Sequence, residues 1–257
     1  MNLLITSSVE KNIAEAAKTA SELGLGLEIS RIPHMEKIDD DFPAIIDELK
    51  NSVADFYGIV TLHALFSGLN PAAKDEALKA VAEKRYQQSF EAGLAVGAKH
   101  INFHSGHKGM RHHVSIEKNC EGSIKFWKEF IKQFEDNGVV AVLENVLDFD
   151  CYHIKTIVDA VNSPYLKVCL DTGHANLCSE TSPQEWIKEY GNRLAHFHLH
   201  NNYGTNDDHN GIKYGTVNFF DIAETIKYEK LNPYIVFEIF NKAQLIESVD
   251  IFKNLVR

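Results

Sequence analysis

The chain has 257 residues, of which 44% are hydrophobic and 24% are charged, and its formal net charge is -10 at pH 7. This composition is that of an ordinary globular protein, and the acidic charge argues against a broad nucleic-acid surface while leaving room for a local basic cleft. No stretch approaches the ~20 apolar residues of a membrane span, and the N-terminus lacks the basic region of a signal peptide, so a cytoplasmic location without membrane contact is expected.

Strand and helix patterns alternate along the whole chain. Strands are predicted over 2–6, over 25–30, and in segments ending at His63, His104, Glu144, Asp171, near His200 and at Glu238. Helices are predicted over 8–23, 41–53, 74–97, 115–137, 151–161, from Ser182 onward, and over 243–255. Eight such units without a low-complexity linker favour a parallel sheet closed into a barrel, a single (β/α)8 TIM barrel over 1–257.

The four cysteines are Cys120, Cys151, Cys169 and Cys178, and no two of them form a CxxC pair. This spacing favours reduced structural thiols over disulfides or a thiolate metal site.

Six consecutive strands end on a residue that can bind a metal ion. These residues are His63, His104, Glu144, Asp171, His198 or His200, and Glu238. The C-terminal ends of parallel barrel strands converge on one face, so the six side chains are predicted to share a site. The pattern is typical of a metal-dependent barrel enzyme.

The segment HFHLH carries three histidines with strand spacing. Because alternate side chains of a strand share a face, His196, His198 and His200 point the same way, and we expect at least one of them to bind metal. Asp171 and His174 add a carboxylate and an imidazole from one loop, with Gly173 permitting a tight turn.

Glu144 and Glu238 each follow an apolar run, and from strands five and eight they would face each other across the barrel mouth. Such a pair can bind one divalent ion and take opposite roles in proton transfer. Carboxylates with imidazoles suit zinc, manganese or cobalt better than calcium. Glu28 is either a carboxylate behind the ligands or only a strand-end residue.

Two long polar loops, 105–114 and 201–217, follow strands and are predicted to lie on the active face. The second loop adds Asp207 and His209 to the candidates. Lys108, Arg111 and Lys213 could hold a phosphate, although lysines in polar loops are usually only solvated.

The motifs together resemble the superfamily of xylose isomerase-like barrels, which includes sugar-phosphate isomerases and epimerases and the endonuclease IV group. The resemblance runs from about Thr61 to Glu238 and is carried by TLHALFSGLNPAAKD, NFHSG, LENV, CLDTGHA, HLHNN with DDHNGIKYGTVNF, and FEI. The chain departs from the endonuclease pattern, since HLHN and KYGTV stand where that group has HLND and a Gly-Glu-Gly element. It also has Asn201 where the isomerase branch commonly has Asp.

Each branch implies a different metal site. In the isomerase and epimerase branch, one divalent ion would be bound by Glu144, Asp171, His198 and Glu238. Endonuclease IV enzymes hold three zinc ions, and here the counterparts of their ligands are His63, His104, Glu144, Asp171, His174, His198, Asp207, His209 and Glu238. The resemblance also implies a homo-oligomer, since barrels of the isomerase branch are often dimers or tetramers.

The first hypothesis is an isomerase or epimerase of a small sugar, keto-sugar or sugar phosphate that depends on one divalent ion (manganese, zinc, cobalt or magnesium). Glu144 and Glu238 would exchange the proton through a metal-stabilised enediolate, and His174 would orient a substrate oxygen. The residues expected to bind substrate are His63, His104, His200, Lys108 and Lys213. The alternatives are a zinc phosphodiesterase of the endonuclease IV type, acting on abasic DNA, and a barrel that binds sugar without turning it over.

Overall fold

Eight parallel strands close into a barrel in chain order, and β8 pairs with β1. The structure is a computed structural model that describes residues 1–106 and 116–257. The strands are β1 (Asn2–Thr6), β2 (Gly26–Ile29), β3 (Val60–His63), β4 (His100–His104), β5 (Val140–Glu144), β6 (Leu166–Asp171), β7 (Leu194–Leu199) and β8 (Tyr234–Phe237). The predicted (β/α)8 barrel is confirmed.

Helices separate the strands and form the outer layer. They are α1 (Ile13–Leu23), α2 (Phe42–Ser52), α3 (Glu76–Ala95), α4 (Ile116–Asn137), α5 (Tyr152–Val161), α6 (Thr172–Cys178), α7 (Pro183–Tyr190), α8 (Phe219–Tyr228) and α9 (Lys242–Leu255). The helix predicted from Ser182 is α7. Its start is fixed by a capping box, in which the Ser182 hydroxyl accepts from the Glu185 N–H and Glu185 accepts from the Ser182 N–H.

The predicted tight turn at Gly173 is wrong, because the chain enters α6 directly after β6. The Asp171 carboxylate accepts a hydrogen bond from the His174 N–H at 2.7 Å and thereby caps the helix. An N-cap satisfies a backbone donor that would otherwise lack a partner, so a strand-end aspartate can start a helix with no intervening loop. The described part of the chain therefore has one helix more than the eight strand–helix units predicted, and α6 and α8 are the two helices for which no range was predicted.

The hydrophobic core lies between the strands and the helices. Near β4 it includes a cluster of aromatic rings, in which Phe103 packs on Tyr86 of α3 and on Trp127 of α4, with ring centroids 4.8 and 5.3 Å apart.

All four cysteines are free thiols. None of the helices in the described ranges combines the length and apolar character needed to cross a membrane.

Candidate metal centre

Four of the predicted ligands converge at the C-terminal mouth of the barrel. The Nδ1 atom of His198 lies 3.1 Å from Glu238 Oε2, 3.4 Å from Glu144 Oε2 and 3.8 Å from Asp171 Oδ2. Strands β5, β6 and β7 bring Glu144, Asp171 and His198 to their ends, and Glu238 directly follows β8. Barrel closure thus assembles the site from residues distant in sequence.

A second group of donors adjoins Glu144 on the side of β3 and β4. Glu144 Oε2 is 3.4 Å from His63 Nε2 and 3.7 Å from His104 Nε2. The two imidazoles meet edge to face, with ring centroids 4.9 Å apart. Glu144 is therefore within reach of both groups of donors.

A third group is formed where the 201–217 loop folds back over the mouth. An antiparallel bridge between Asn201 and Asn210 closes this loop. The carboxylate Oδ2 of Asp207 lies 3.4 Å from His174 Nε2 and 3.1 Å from His209 Nε2. The loop residues Asp207 and His209 thus reach the cluster, as their position after β7 predicts.

The residues present fit a divalent cation. Glu144, Asp171 and His198 are each at most 1% exposed, and they offer donor atoms within 4.8 Å of one another. His198 Nδ1 is buried without a hydrogen-bond partner in the described structure, although three carboxylates surround it. Buried carboxylates repel one another and buried polar nitrogens need a partner, and a cation at this point would satisfy both.

Burial and neighbouring charges shift the pKa values of several groups in this site. Burial alone would raise the pKa of Glu144, but the imidazoles of His198 and His104 hold the pKa of this carboxyl well below its usual range. The pKa of Glu238 is also lowered, because the charge of His198 outweighs burial. Burial lowers the pKa of His104 to about 4. At neutral pH the glutamates are thus ionised and His104 is neutral, the forms that ligate metals. Burial alone would lower the pKa of His198, but neighbouring acidic groups, Glu144 among them, hold it well above its usual range, so a metal ion that binds His198 must displace a proton.

Asn145 was not identified from the sequence, yet its hydrogen bonds hold in place the segment that carries Asp171 and His174. Its side chain accepts from the Asp171 N–H at 2.8 Å and donates to the Asp171 carbonyl at 3.0 Å. Its own carbonyl oxygen lies 3.0 Å from His174 Nδ1. Its place directly after Glu144, in the LENV motif, was the available signal.

A carboxylate also lies beneath the site. Glu28 is fully buried; its Oε1 is 2.8 Å from His198 Nε2 and its Oε2 is 3.1 Å from His196 Nε2. The Thr61 hydroxyl donates to Glu28 Oε2 at 2.8 Å. Of the two interpretations left open for Glu28, the position fits that of a carboxylate behind a candidate ligand. His196 lies deeper, with its Nδ1 3.1 Å from His100 Nδ1.

The residues predicted to bind substrate do not all lie at the barrel mouth. His63 and His104 line the mouth, and His200 Nε2 lies 3.1 Å from Asp171 Oδ1. Lys213 is instead exposed and pairs with Glu247 at 2.6 Å. Lys108 and most of the 105–114 loop lie outside the described residues.

Two further residues at the mouth escaped the sequence analysis. Phe66 stacks on His104 with ring centroids 4.5 Å apart and remains 42% exposed, so its ring faces the opening. Asn102 donates a hydrogen bond to Glu144 Oε2. The alternation in HINFH, which puts Asn102 on the same face as His104, could have identified it.

Comparisons with known proteins agree with this architecture. The sequence profile of the family described as "Xylose isomerase-like TIM barrel" matches residues 15–255. The uncharacterized protein MJ1614 of Methanocaldococcus jannaschii is 26% identical over 255 residues, which are 96% of this chain and 95% of the relative.

Two solved structures are similar over almost their whole length. A D-tagatose 3-epimerase-like protein superposes with a TM-score of 0.80 at 23% identity, covering 100% of this chain and 97% of its own. The TTHB071 protein from Thermus thermophilus, in a structure obtained by soaking with ZnCl2, superposes with a TM-score of 0.83 at 21% identity, covering 99% and 98%. At these identities the likeness shows the fold.

Proposed function

Because the chain belongs to the xylose isomerase-like TIM barrel family, we propose that it is a divalent-metal-dependent isomerase or epimerase of a small sugar, keto-sugar or sugar phosphate. The observation that carries the proposal is the convergence of Glu144 and Glu238, from opposite sides of the mouth, on His198 Nδ1 at 3.4 and 3.1 Å. The structural similarity to a D-tagatose 3-epimerase-like protein supports it.

The candidate metal ligands are Glu144, Asp171, His198 and Glu238. When bound there, a divalent cation would act as a Lewis acid that polarises a substrate carbonyl and the neighbouring hydroxyl, which favours proton loss to an enediolate. One of Glu144 and Glu238 removes the proton from the carbon next to the carbonyl, and the other returns or relays it. His174, held between Asp171, Glu144 and Asp207, orients a substrate oxygen.

The test is turnover by Glu144→Gln and Glu238→Gln against a panel of sugars and sugar phosphates. Each variant keeps the shape of the side chain but loses the base, so we expect a fall in kcat of at least about 100-fold. Glu224→Gln, on the exposed surface of α8, is the matched control and should retain full activity. Normal turnover by either mouth variant, with a native circular dichroism spectrum, would refute the assignment.

The second candidate is a zinc-dependent phosphodiesterase of the endonuclease IV type. One observation favours it: besides the central ligands, the donors His63, His104 and Glu144 lie within 4.8 Å of one another, and Asp207 bridges His174 and His209. A mononuclear isomerase does not require these additional groups. They are the counterparts of the remaining ligands of a three-zinc site.

Metal content distinguishes the two candidates. Protein purified without chelator should contain about one divalent ion per chain if it is an isomerase, as measured by inductively coupled plasma mass spectrometry. Two to three zinc ions per chain, lowered by His63→Ala or His209→Ala, would favour the phosphodiesterase. The protein would then be assayed on abasic-site DNA before any sugar.

A further inference from the structure

A cavity opens on the same face of the barrel as the candidate metal ligands. It has a volume of about 250 Å³ and lies at the C-terminal ends of β1 and β2. Phe240, which follows β8, lines this cavity and also stacks on His209 with ring centroids 4.2 Å apart. A single aromatic ring therefore connects the cavity to the third group of candidate ligands.

Three serine hydroxyls line the cavity. Ser7 and Ser30 are 7% and 8% exposed, and the Oγ atoms of Ser7 and Ser8 each lie 2.8 Å from that of Ser30. The Ser30 N–H already donates to Ser7 Oγ at 3.0 Å. Two contacts among three hydroxyls use two of their three protons, so one O–H remains to donate to another group.

The charge around these hydroxyls is positive, in contrast to the net charge of -10 of the chain. Lys11 and Arg31 line the cavity, and neither forms an ion pair with a residue in the described ranges. The carboxylate of Glu10, which also lines it, accepts hydrogen bonds from Lys242 Nζ and from the Thr19 hydroxyl. Lys11 interacts electrostatically with Glu10, but because Lys242 already pairs with this carboxylate, Lys11 and Arg31 leave an excess of positive charge beside the first turn of α1, which itself favours an anion.

We propose that this cavity binds the phosphate group of a sugar monophosphate whose carbonyl end reaches the metal ligands. The proposal rests on the proposed isomerase or epimerase function and narrows its substrate class to phosphorylated sugars. Arginine and lysine suit a phosphate dianion because charge-assisted hydrogen bonds are strong, and serine hydroxyls supply further donors. The polar groups would fix one end of the substrate while its carbonyl is presented to Glu144 and Glu238.

The experiment titrates inorganic phosphate, D-ribulose 5-phosphate and D-ribulose into the metal-loaded and the metal-depleted protein by isothermal calorimetry. We expect phosphate to bind without metal, since the cavity does not involve the metal ligands. D-ribulose 5-phosphate should bind at least about tenfold more tightly than D-ribulose. Equal affinity for the two sugars, or no phosphate binding to the metal-depleted protein, would overturn the proposal.

Single substitutions test whether the residues of the cavity bind the phosphate. Arg31→Gln should weaken binding of inorganic phosphate and D-ribulose 5-phosphate at least about tenfold while leaving the affinity for D-ribulose unchanged. Ser30→Ala, which removes one buried hydroxyl, should weaken phosphate binding in the same direction. Lys18→Gln, also on α1 but outside the cavity, is the matched control and should bind phosphate as the wild type does. Unchanged phosphate affinity in Arg31→Gln would contradict the assignment.

The results that would refute phosphate binding in this cavity differ from those that would refute the proposed function. If the protein isomerises unphosphorylated sugars and Arg31→Gln is fully active on them, the function stands and the cavity is not a substrate site. If phosphate binding depends on Arg31 but no sugar phosphate is turned over, the cavity binds phosphate and the isomerase assignment is wrong.

Discussion

At the scale of single residues, Glu28 has the environment of a residue that positions a ligand. It lies 2.8 Å from the Nε2 atom of His198, whose Nδ1 atom faces Glu144 and Glu238. A carboxylate beside the second nitrogen of a ligating histidine fixes the tautomer and orientation of the ring. Thr61 and His196 hold Glu28 in turn from the adjacent and the opposite part of the barrel.

Replacing Glu28 by glutamine should weaken metal binding because the amide cannot match the negative charge next to His198. We expect about a 10- to 100-fold loss of zinc affinity, measured by competition with a chromophoric chelator. The absorption spectrum of the cobalt-loaded protein should also change if His198 reorients. Glu22→Gln, on the exposed side of α1, serves as the control. Unchanged affinity and spectrum in a folded Glu28→Gln variant would show that Glu28 has no part in the site.

The sequence identified the side chains at the strand ends but left Glu28 unassigned. Ligand-type residues such as Glu144 and Asp171 are marked by their place after an apolar run. Glu28 has the same local pattern, and its proximity to His198 depends on how β2 and β7 face each other across the barrel. Spacing within a single strand carries no information about that distance.

At the scale of elements, the start of α6 determines how the candidate ligands at β6 and β7 fit together. Asp171 caps the helix through one carboxylate oxygen, and a Cβ added to Gly173 would overlap the imidazole of His200. His200 is itself fully buried and lies against Asp171. Glycine is therefore required at position 173 by the close approach of the two segments.

Gly173→Ala should displace His200 and Asp171 together. We expect a loss of about 1–3 kcal/mol in the free energy of unfolding, measured by urea denaturation, together with weaker metal binding. The comparison variant is Ser182→Ala, which breaks the capping box of α7 and should cost about 1 kcal/mol without affecting metal affinity. Equal metal affinity in the two variants would mean that the contact between Gly173 and His200 is unimportant for the site.

Most elements were predictable because they are long and bounded by clear signals, as α7 is by Ser182 and its proline. The helix α6 was missed because it has only seven residues and contains a glycine in its first turn. Its stability derives from the Asp171 cap and from contacts with Asn145 and Asn202, which bring together segments distant in sequence. Local propensity does not report such contacts.

At the scale of the whole molecule, the protein gathers negative charge in the centre of its barrel. Five carboxylates surround the mouth or lie just beneath it, and they are Glu28, Glu144, Asp171, Asp207 and Glu238. Histidines offset part of this charge. A divalent cation would bind the folded barrel and not the unfolded chain, so its binding energy adds to the stability of the fold.

Saturating metal should therefore raise the melting temperature. At a free ion concentration 100 times Kd, the stabilisation is about 2.7 kcal/mol, equivalent to roughly 5–10 °C for a protein of this size. Differential scanning calorimetry with and without chelator measures it. Asp171→Asn retains a good helix cap but loses a charged ligand, so its melting temperature should respond much less. An equal rise in this variant would place the stabilising ion elsewhere.

The closure of the barrel by pairing of β8 with β1 has a consequence for the order of folding. Glu238 follows the last strand, whereas Glu144 and Asp171 belong to β5 and β6, so a nascent chain lacks part of the ligand set until its final strand has been made. Capture of a metal ion during refolding would then be a late event that records the joining of the two ends of the sheet. Rapid-mixing experiments with a fluorescent zinc indicator would therefore report the rate at which β8 pairs with β1 and closes the barrel.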